Sequence, residues 1–423
     1  MSDLSLFQLS RTYVPTQEVL FLAPPPADVS CTHHTLKHTI PDEALDPDAV
    51  KVVRRLSRFG YDAFLVGGCV RDILFGKHPK DFDVVTSALP SEIRRIFRNC
   101  RLIGKRFRLA HLLFKNGKII EVATFRRSAT SEDDITTRHA AENLFGGPAD
   151  DAVRRDFTIN ALMYDVGKRQ IHDYVGGLAD IEARALSTIG DPDRRFTEDP
   201  VRIIRAVKFS KRLNLSISPQ LMDSMKRNAH LVRDCAPARL VEELFKVLRT
   251  GEAAASMRLL SDVGVMKHLM PLLSEEAFRA KDRNANWRFL KGLDSKIRRG
   301  SLVSEATMLA ALIYPFSISL LDESKGGDLA AMMHERVSTL LSPMRFPKKH
   351  VAYVRQILVA QRGLRGGPST KRARRILERD YASHALDLMI ISAGDSATKR
   401  LHAEWLDLFT KTHARKMHRR TAR

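Results

Sequence analysis

The stretch "LVGGCVRDILFGKHPKDFDVVT", residues 65–86, constrains this chain more than any other feature. An apolar run enters a double glycine, a helical segment follows, and a second apolar run begins with two aspartates one residue apart. In a strand, residues two apart face the same side, so Asp81 and Asp83 project together while Phe82 packs the opposite way. Two such carboxylates repel one another unless a cation lies between them. A hard divalent ion suits that place, because it accepts carboxylate and phosphate oxygens together. Paired ions held this way activate an attacking hydroxyl and stabilise a leaving pyrophosphate. Taken alone, the same residues also describe a half-exposed strand with a polar face. The turn before them adds to the pattern. Gly67 and Gly68 permit close backbone approach to a phosphate, the next helix offers its N-terminal amides, and Arg71 on its first turn is within reach of a phosphate oxygen.

A pair of acids is conspicuous in a chain with formal net charge +21. The charge is uneven: residues 343–423 carry 19 Lys/Arg against 6 Asp/Glu, or +13 of the total. Such a field attracts polyanions, with nucleic acid the expected partner and anionic membrane surface a secondary one. No apolar run approaches the roughly 18 residues that a membrane-spanning helix needs. The opening residues lack a basic segment followed by an apolar core, so they do not read as a secretory signal. Four scattered cysteines (Cys31, Cys69, Cys100 and Cys235) show no metal-binding or disulfide spacing. A cytoplasmic location is expected.

The 423 residues exceed what one core usually serves. Residues 1–45, with "APPPAD", read as a flexible polar arm in which His33 and His34 are solvated. "PDAVKVVRRLSRFG" has helical spacing and stops at Gly60; "YDAFLV", "DFDVVT", "LAHLLF" and "KIIEVATF" read as strands; "SEIRRIFRNC" reads as a Ser-capped helix. The segment 128–150 lacks apolar periodicity and reads as a mobile insertion. Beyond about residue 195, strand signals give way to helical patterns such as "DPVRIIRAVKFSKRL", "PARLVEELFKVLRTG" and "EATMLAALIYPF". The expected divisions are an arm (1–45), a mixed α/β head (46–182), a helical neck (183–250), a helical body (251–342) and a basic helical region (343–423).

The 65–86 stretch closely resembles the opening signature of the class II nucleotidyltransferases, the family of bacterial poly(A) polymerases and CCA-adding enzymes. Three more motifs follow in family order. "RRDFTINAL" (154–162) resembles the segment that recognises the nucleotide ribose and supports the metal site, "DYVGGLADI" (173–181) the flexible hinge between head and neck, and "EDPVRIIRAVKFS" (198–210) the helix that reads the base. The resemblance implies a polymerase β-like nucleotidyltransferase head followed by an all-α neck, body and basic tail. It implies Mg²⁺ (or Mn²⁺) on Asp81 and Asp83, with Asp156 as third carboxylate and Glu121 as its rival or a supporting ligand. Gly67, Gly68, Arg71, Arg154 and Arg155 are then expected around the nucleotide. Asp199 and Arg202, at i and i+3 on one helical face, would present acceptor and donor groups to the base edge.

"LIGKRFRLAHLLF" (102–114) resembles the short signature that separates poly(A) polymerases from CCA-adding relatives, placing Lys105 and Arg106 at the triphosphate or primer backbone. The ending "KTHARKMHRRTAR", with Arg415, Lys416, Arg419 and Arg420, resembles the Arg-rich extension common in that branch. The implied activity is template-independent addition of AMP from ATP to RNA 3′ ends. A CCA-adding enzyme and a non-catalytic RNA-binding protein on the same scaffold are the alternatives; the intact carboxylates argue against the latter. "HDY" (172–174) lacks the further ligands of a metal phosphohydrolase, so no catalytic role is expected for His172.

Overall fold

The computed structural model describes residues 20–22, 33–37, 40–104, 109–127, 145–279, 285–323, 328–369 and 374–421. The chain divides into two compact units, residues 1–189 and 190–423, with the break close to the expected end of the head. From residue 190 onward the expected neck, body and basic region fall together in the second unit, while residues 183–189 belong to the first.

The first unit is built on a nine-stranded sheet in the order β1-β2-β9-β8-β3-β4-β7-β6-β5. These are β1 (Leu20–Leu22), β2 (His33–Lys37), β3 (Ala63–Val66), β4 (Asp83–Thr86), β5 (Cys100–Ile103), β6 (Leu109–Leu113), β7 (Ile119–Thr124), β8 (Met163–Asp165) and β9 (Gln170–Asp173). All neighbours run antiparallel except β4 and β7, which are parallel. Alternation along the strands splits the core between the two faces. Leu65, Val84, Val122 and Leu112 pack with α1 (Pro47–Arg58) in one cluster. Phe64, Val66, Val85 and Met163 pack with Phe125 in the other.

Three expectations are corrected here. The arm is partly strand: β2 pairs with β9 and β1 with β2, so His33 and His34 belong to the sheet rather than to a solvated tail. Strands this short carry too little apolar alternation to announce themselves. The helix expected to be Ser-capped begins earlier, spanning Pro90–Ile96, with the Glu92 carboxylate accepting from Leu89 N at 2.7 Å. Within the segment read as a mobile insertion, residues 128–144 lie outside the described residues, but its end enters a helix at Pro148–Arg154.

The second unit is helical. Proline occupies the first position of Pro192–Glu198, Pro219–Asn228 and Pro237–Leu248, where its missing N–H costs nothing. Lys208 on Val201–Leu213 donates to Glu243 on Pro237–Leu248 at 2.9 Å, a buried pair fastening these two helices. Burial draws Lys208 down to about 8. The final helix, Ser396–Thr421, is fixed by Trp405, fully buried and donating from Nε1 to Leu364 O at 2.9 Å.

Candidate active site

Parity along the strands places the acids. Asp83 opens β4 and shares the face of Val85, while Phe82 and Val84 enter the opposite cluster. Asp81 lies two residues earlier, just ahead of the strand rather than inside it. On the parallel neighbour β7, Glu121 is the register partner of Asp83, and on β6 His111 is the register partner of Glu121. His111 Nε2 lies 3.4 Å from Glu121 Oε1. The sheet therefore aligns His111, Glu121 and Asp83 across three adjacent strands. Asp81, Asp83 and Glu121 line a cavity of about 600 Å³ shared with Asp46, Lys80 and Lys118. Lys118 is engaged by Asp46 and Asp48, so its charge is largely answered by those two acids.

Burial, then the neighbouring Glu121, raises the Asp83 carboxyl to about 6; Arg155 pulls it down, and Asp81 adds to the rise. Like charges gathered in a half-buried cleft mark a place that a cation would relieve. Among the described residues no three His, Cys, Asp or Glu side chains close around a single point. The donor set fits a divalent ion that takes one or two carboxylates and completes its shell with substrate phosphate and water.

Asp156 sits differently. Its Oδ1 accepts from Phe157 N and from Asn160 Nδ2, both at 2.9 Å, and it is absent from the charges that shift Asp83. Glu121 stands beside Asp83 across the β4–β7 pair.

The glycine turn is built as the sequence suggests. Gly67 has φ +73°, and a Cβ there would lie 3.1 Å from Arg155 Nη1 and 3.4 Å from Asn160 O. Arg155 is itself held by Asp151, with Nη2 to Oδ2 at 2.9 Å. Arg71 departs from expectation. It is 4% exposed, and its guanidinium donates to Asp72 (Nε, 2.9 Å) and to Asn160 Oδ1. Asn160 in turn donates to Asp156. A buried chain Asp72–Arg71–Asn160–Asp156 thus ties the first motif to the "RRDFTINAL" turn. Arg154 is similarly engaged, donating to Arg127 O at 2.6 Å.

The segment expected to be a flexible hinge is tightly tied. Asp173, 1% exposed, accepts four backbone amides from Val175, Gly176, Gly177 and Leu178 at 2.8–3.1 Å. A Cβ on Gly177 would approach Thr158 O to 2.4 Å, so this turn packs directly against the 158–160 segment. His172 packs edge-on against Phe64 at 5.2 Å, a core contact.

In the second unit, Asp199 and Arg202 do not share a helical face. Asp199 adopts φ −152°, ψ 91° after Pro192–Glu198, because Pro200 disfavours helical geometry in the residue before it. Arg202 lies on Val201–Leu213 and donates to Arg195 O (2.9 Å) and Glu198 Oε2 (3.0 Å). Asp199 is gripped by Arg239, with Nη1 to Oδ1 at 3.0 Å and Nη2 to Oδ2 at 2.6 Å. Arg239 and Asn160 were missed in the sequence. Both lie in stretches already singled out, "PARLVEELFKVLRTG" and "RRDFTINAL", but their partners are 40 and 89 positions away. Lys105 and Arg106 lie outside the described residues, in the connection between β5 and β6. Arg415, Lys416, Arg419 and Arg420 fall on the final helix.

Comparison with known proteins bears on both units. Residues 63–187 match the family model described as "Poly A polymerase head domain", and residues 214–276 match "Probable RNA and SrmB- binding site of polymerase A". Poly(A) polymerase I of Salmonella typhi is 37% identical over 395 residues, covering 88% of this chain and 84% of that protein. The CCA-adding enzyme of Geobacillus kaustophilus is 35% identical over 227 residues, or 54% of this chain and 55% of that protein. Among solved structures, the Bacillus stearothermophilus CCA-adding enzyme in complex with CTP superposes with a TM-score of 0.65 at 24% identity, over 87% of this chain and 83% of that one.

Proposed function

This chain belongs to the nucleotidyltransferase family of poly(A) polymerases and CCA-adding enzymes, and from that premise we propose that it adds AMP from ATP to RNA 3′ ends without a template, releasing pyrophosphate. The observation that carries the choice of branch is coverage. Likeness to poly(A) polymerase I extends along 84% of that relative, whereas likeness to the Geobacillus kaustophilus CCA-adding enzyme covers 55% of it.

Asp83 and Asp81 hold the divalent ion, with Glu121 as the third carboxylate, supported by its place beside Asp83 and its contribution to the raised Asp83 carboxyl. Mg²⁺ is the ion proposed, with Mn²⁺ able to replace it. When bound, the ion lowers the pKa of the primer 3′-hydroxyl and offsets charge on the leaving pyrophosphate. Everything else falls to protein groups. Gly67 and Gly68 give the triphosphate close access to backbone, and Arg155 supplies positive charge beside that turn and beside Asp83. Arg71 acts by fixing the turn rather than by touching phosphate, since its guanidinium is buried among Asp72 and Asn160. Asp156 and Arg154 likewise hold the 154–160 segment in shape.

Base choice is assigned to Asp199 and Arg202. With Arg239 gripping its carboxylate, Asp199 offers a fixed acceptor, and a fixed setting suits an enzyme that adds one base repeatedly. Lys105, Arg106 and the tail cations Arg415, Lys416, Arg419 and Arg420 are assigned to RNA phosphates, contacts whose strength falls steeply with salt. No described helix is long and apolar enough to cross a membrane. A cytoplasmic setting follows from the proposed substrates, RNA and ATP, and attraction to anionic lipid remains a secondary property of the same charge.

The test is extension of an unstructured RNA and of a tRNA lacking its 3′ end, with each nucleotide supplied separately. Long tails from ATP alone on the unstructured RNA are expected. Two cytidines and one adenosine on the tRNA, followed by a halt, would move the chain to the CCA-adding branch.

A further inference from the structure

A further cavity lies in the second unit, between a helix whose Asp294 accepts from Ala253 N and Ala254 N and the start of the final helix. It is a cleft of about 920 Å³ between the Ala285–Arg298 helix and the turn that follows Ala382–Ser392. The two elements meet at backbone distance, since a Cβ on Gly292 would fall 1.9 Å from Ile391 O. That close crossing brings cations from distant parts of the chain to one opening: Lys291, Lys296 and Arg299 from one wall, Lys399 and His402 from the other.

The charge there is one-sided. Lys296 is answered by Asp387 at 2.8 Å. Lys291, Arg299 and Lys399 are exposed and have no acidic partner among the described residues. The acids on the lining segments are engaged elsewhere. Asp294 accepts from Ala253 N and Ala254 N, and Asp395 accepts from Thr398 N and Oγ1. Phe289 meets Tyr314 edge to face at 5.5 Å and is not a free platform for stacking a base. A cleft with unpaired cations, serine hydroxyls (Ser295, Ser301) and no carboxylate to read a base edge is suited to phosphates and indifferent to sequence.

On the reading that this chain extends RNA, we infer that the cleft is a docking site for the phosphodiester backbone of the RNA being extended, with Lys291, Arg299 and Lys399 as its phosphate contacts. A second site of this kind keeps a lengthening, sequence-poor product on the enzyme between additions. Each phosphate contact to a single strand contributes about 0.7 to the slope of log affinity against log salt, so three contribute about 2.

The experiment is equilibrium binding of a long unstructured RNA across a salt series. It compares the parent chain, the combined variant Lys291→Gln/Arg299→Gln/Lys399→Gln, and a charge-matched control on exposed head positions, Arg54→Gln/Arg58→Gln/Arg98→Gln. The expected result is a roughly ten- to hundredfold loss of affinity and a slope shallower by about 2 in the first variant only. Equal losses in both variants would reduce the cleft to bulk charge, and an unchanged slope would overturn the proposal. Photo-crosslinking of the same RNA to the parent chain gives an arm that needs no variant. Adducts are expected on residues 291–301 and 392–402, and their absence overturns the assignment. ATP competing with the RNA for those adducts would make the cleft a nucleotide site and sink the proposal. AMP addition by the parent chain is read separately, so a failed functional reading and a failed cleft are distinguishable.

Discussion

Two aspartates show how differently this chain treats its acids. Asp83 in the head sits in a cleft with Glu121 and Asp81, and burial and those neighbours raise it to about 6. Asp193 in the second unit accepts from Arg227, Ser224 and Asn228 at 2.6–2.7 Å, and Arg227 foremost lowers it to about 2. The second is an acid with its partners supplied, a fastening between Pro192–Glu198 and Pro219–Asn228. The first is an acid crowded by like charges, with Arg155 pulling the other way. Uncompensated like charge of this kind is what the proposed metal site would relieve, whereas the Asp193 cluster is compensated within the fold.

The largest effect expected from breaking this contrast is on chemistry. Asp83→Asn keeps the side-chain volume and removes the charge; AMP addition should fall by about a thousandfold or more, with RNA affinity retained. Near-normal turnover at saturating Mg²⁺ would place the metal site elsewhere. Asp193→Asn should leave turnover within a fewfold of the parent in the same assay.

Asn160→Ala cuts the link between Arg71 and Asp156 and leaves a buried guanidinium underpaired. A loss of roughly 2–4 kcal/mol in chemical denaturation is expected, with reduced turnover. An unaltered denaturation midpoint would show that the motif-to-motif chain is dispensable.

The two aspartates should also respond oppositely to pH. The folded-state value of Asp83 lies above its ordinary 3.8, so folded protein binds the extra proton between about pH 4 and 6 and metal-free stability falls as pH rises through that window, by roughly 1–3 kcal/mol. Asp193 lies below its ordinary value, so its contribution is present above pH 4 and is lost as pH falls towards 2. Thermal melts from pH 3 to 7 in chelator check both. In Asp83→Asn the share of that fall due to Asp83 should be absent and the metal-free protein more stable than the parent at pH 7.

A smaller effect is expected at the base-reading pair. Arg239→Gln releases the Asp199 carboxylate from its bidentate grip, and the preference for ATP over CTP should erode by roughly tenfold, read as a ratio of kcat/KM. An unchanged ratio would mean that Arg239 is only a surface ion pair.

Much of the head was legible because its signals are local. Asp81 and Asp83 line one cavity, and Gly67 with positive φ sits where the glycine turn was read. Elements carried by partners remote in sequence were not legible. Glu121 was expected as a rival or supporting ligand, but its place opposite Asp83 on the parallel β7 is a register that no single stretch of sequence encodes. Arg71 looked free to reach a phosphate until Asn160 arrived from 89 positions away. Asp199 was misread on local evidence that was present, since Pro200 already argued against a helical residue before it.

The most direct test of the central claim, that the cleft of Asp81, Asp83 and Glu121 holds a divalent ion for nucleotide addition, is Mn²⁺ binding followed by electron paramagnetic resonance in the presence of ATP. The parent and Asp193→Asn should bind Mn²⁺ alike, while Asp83→Asn should bind it at least about tenfold more weakly with its RNA affinity intact. Equal Mn²⁺ affinity in all three proteins would contradict the account.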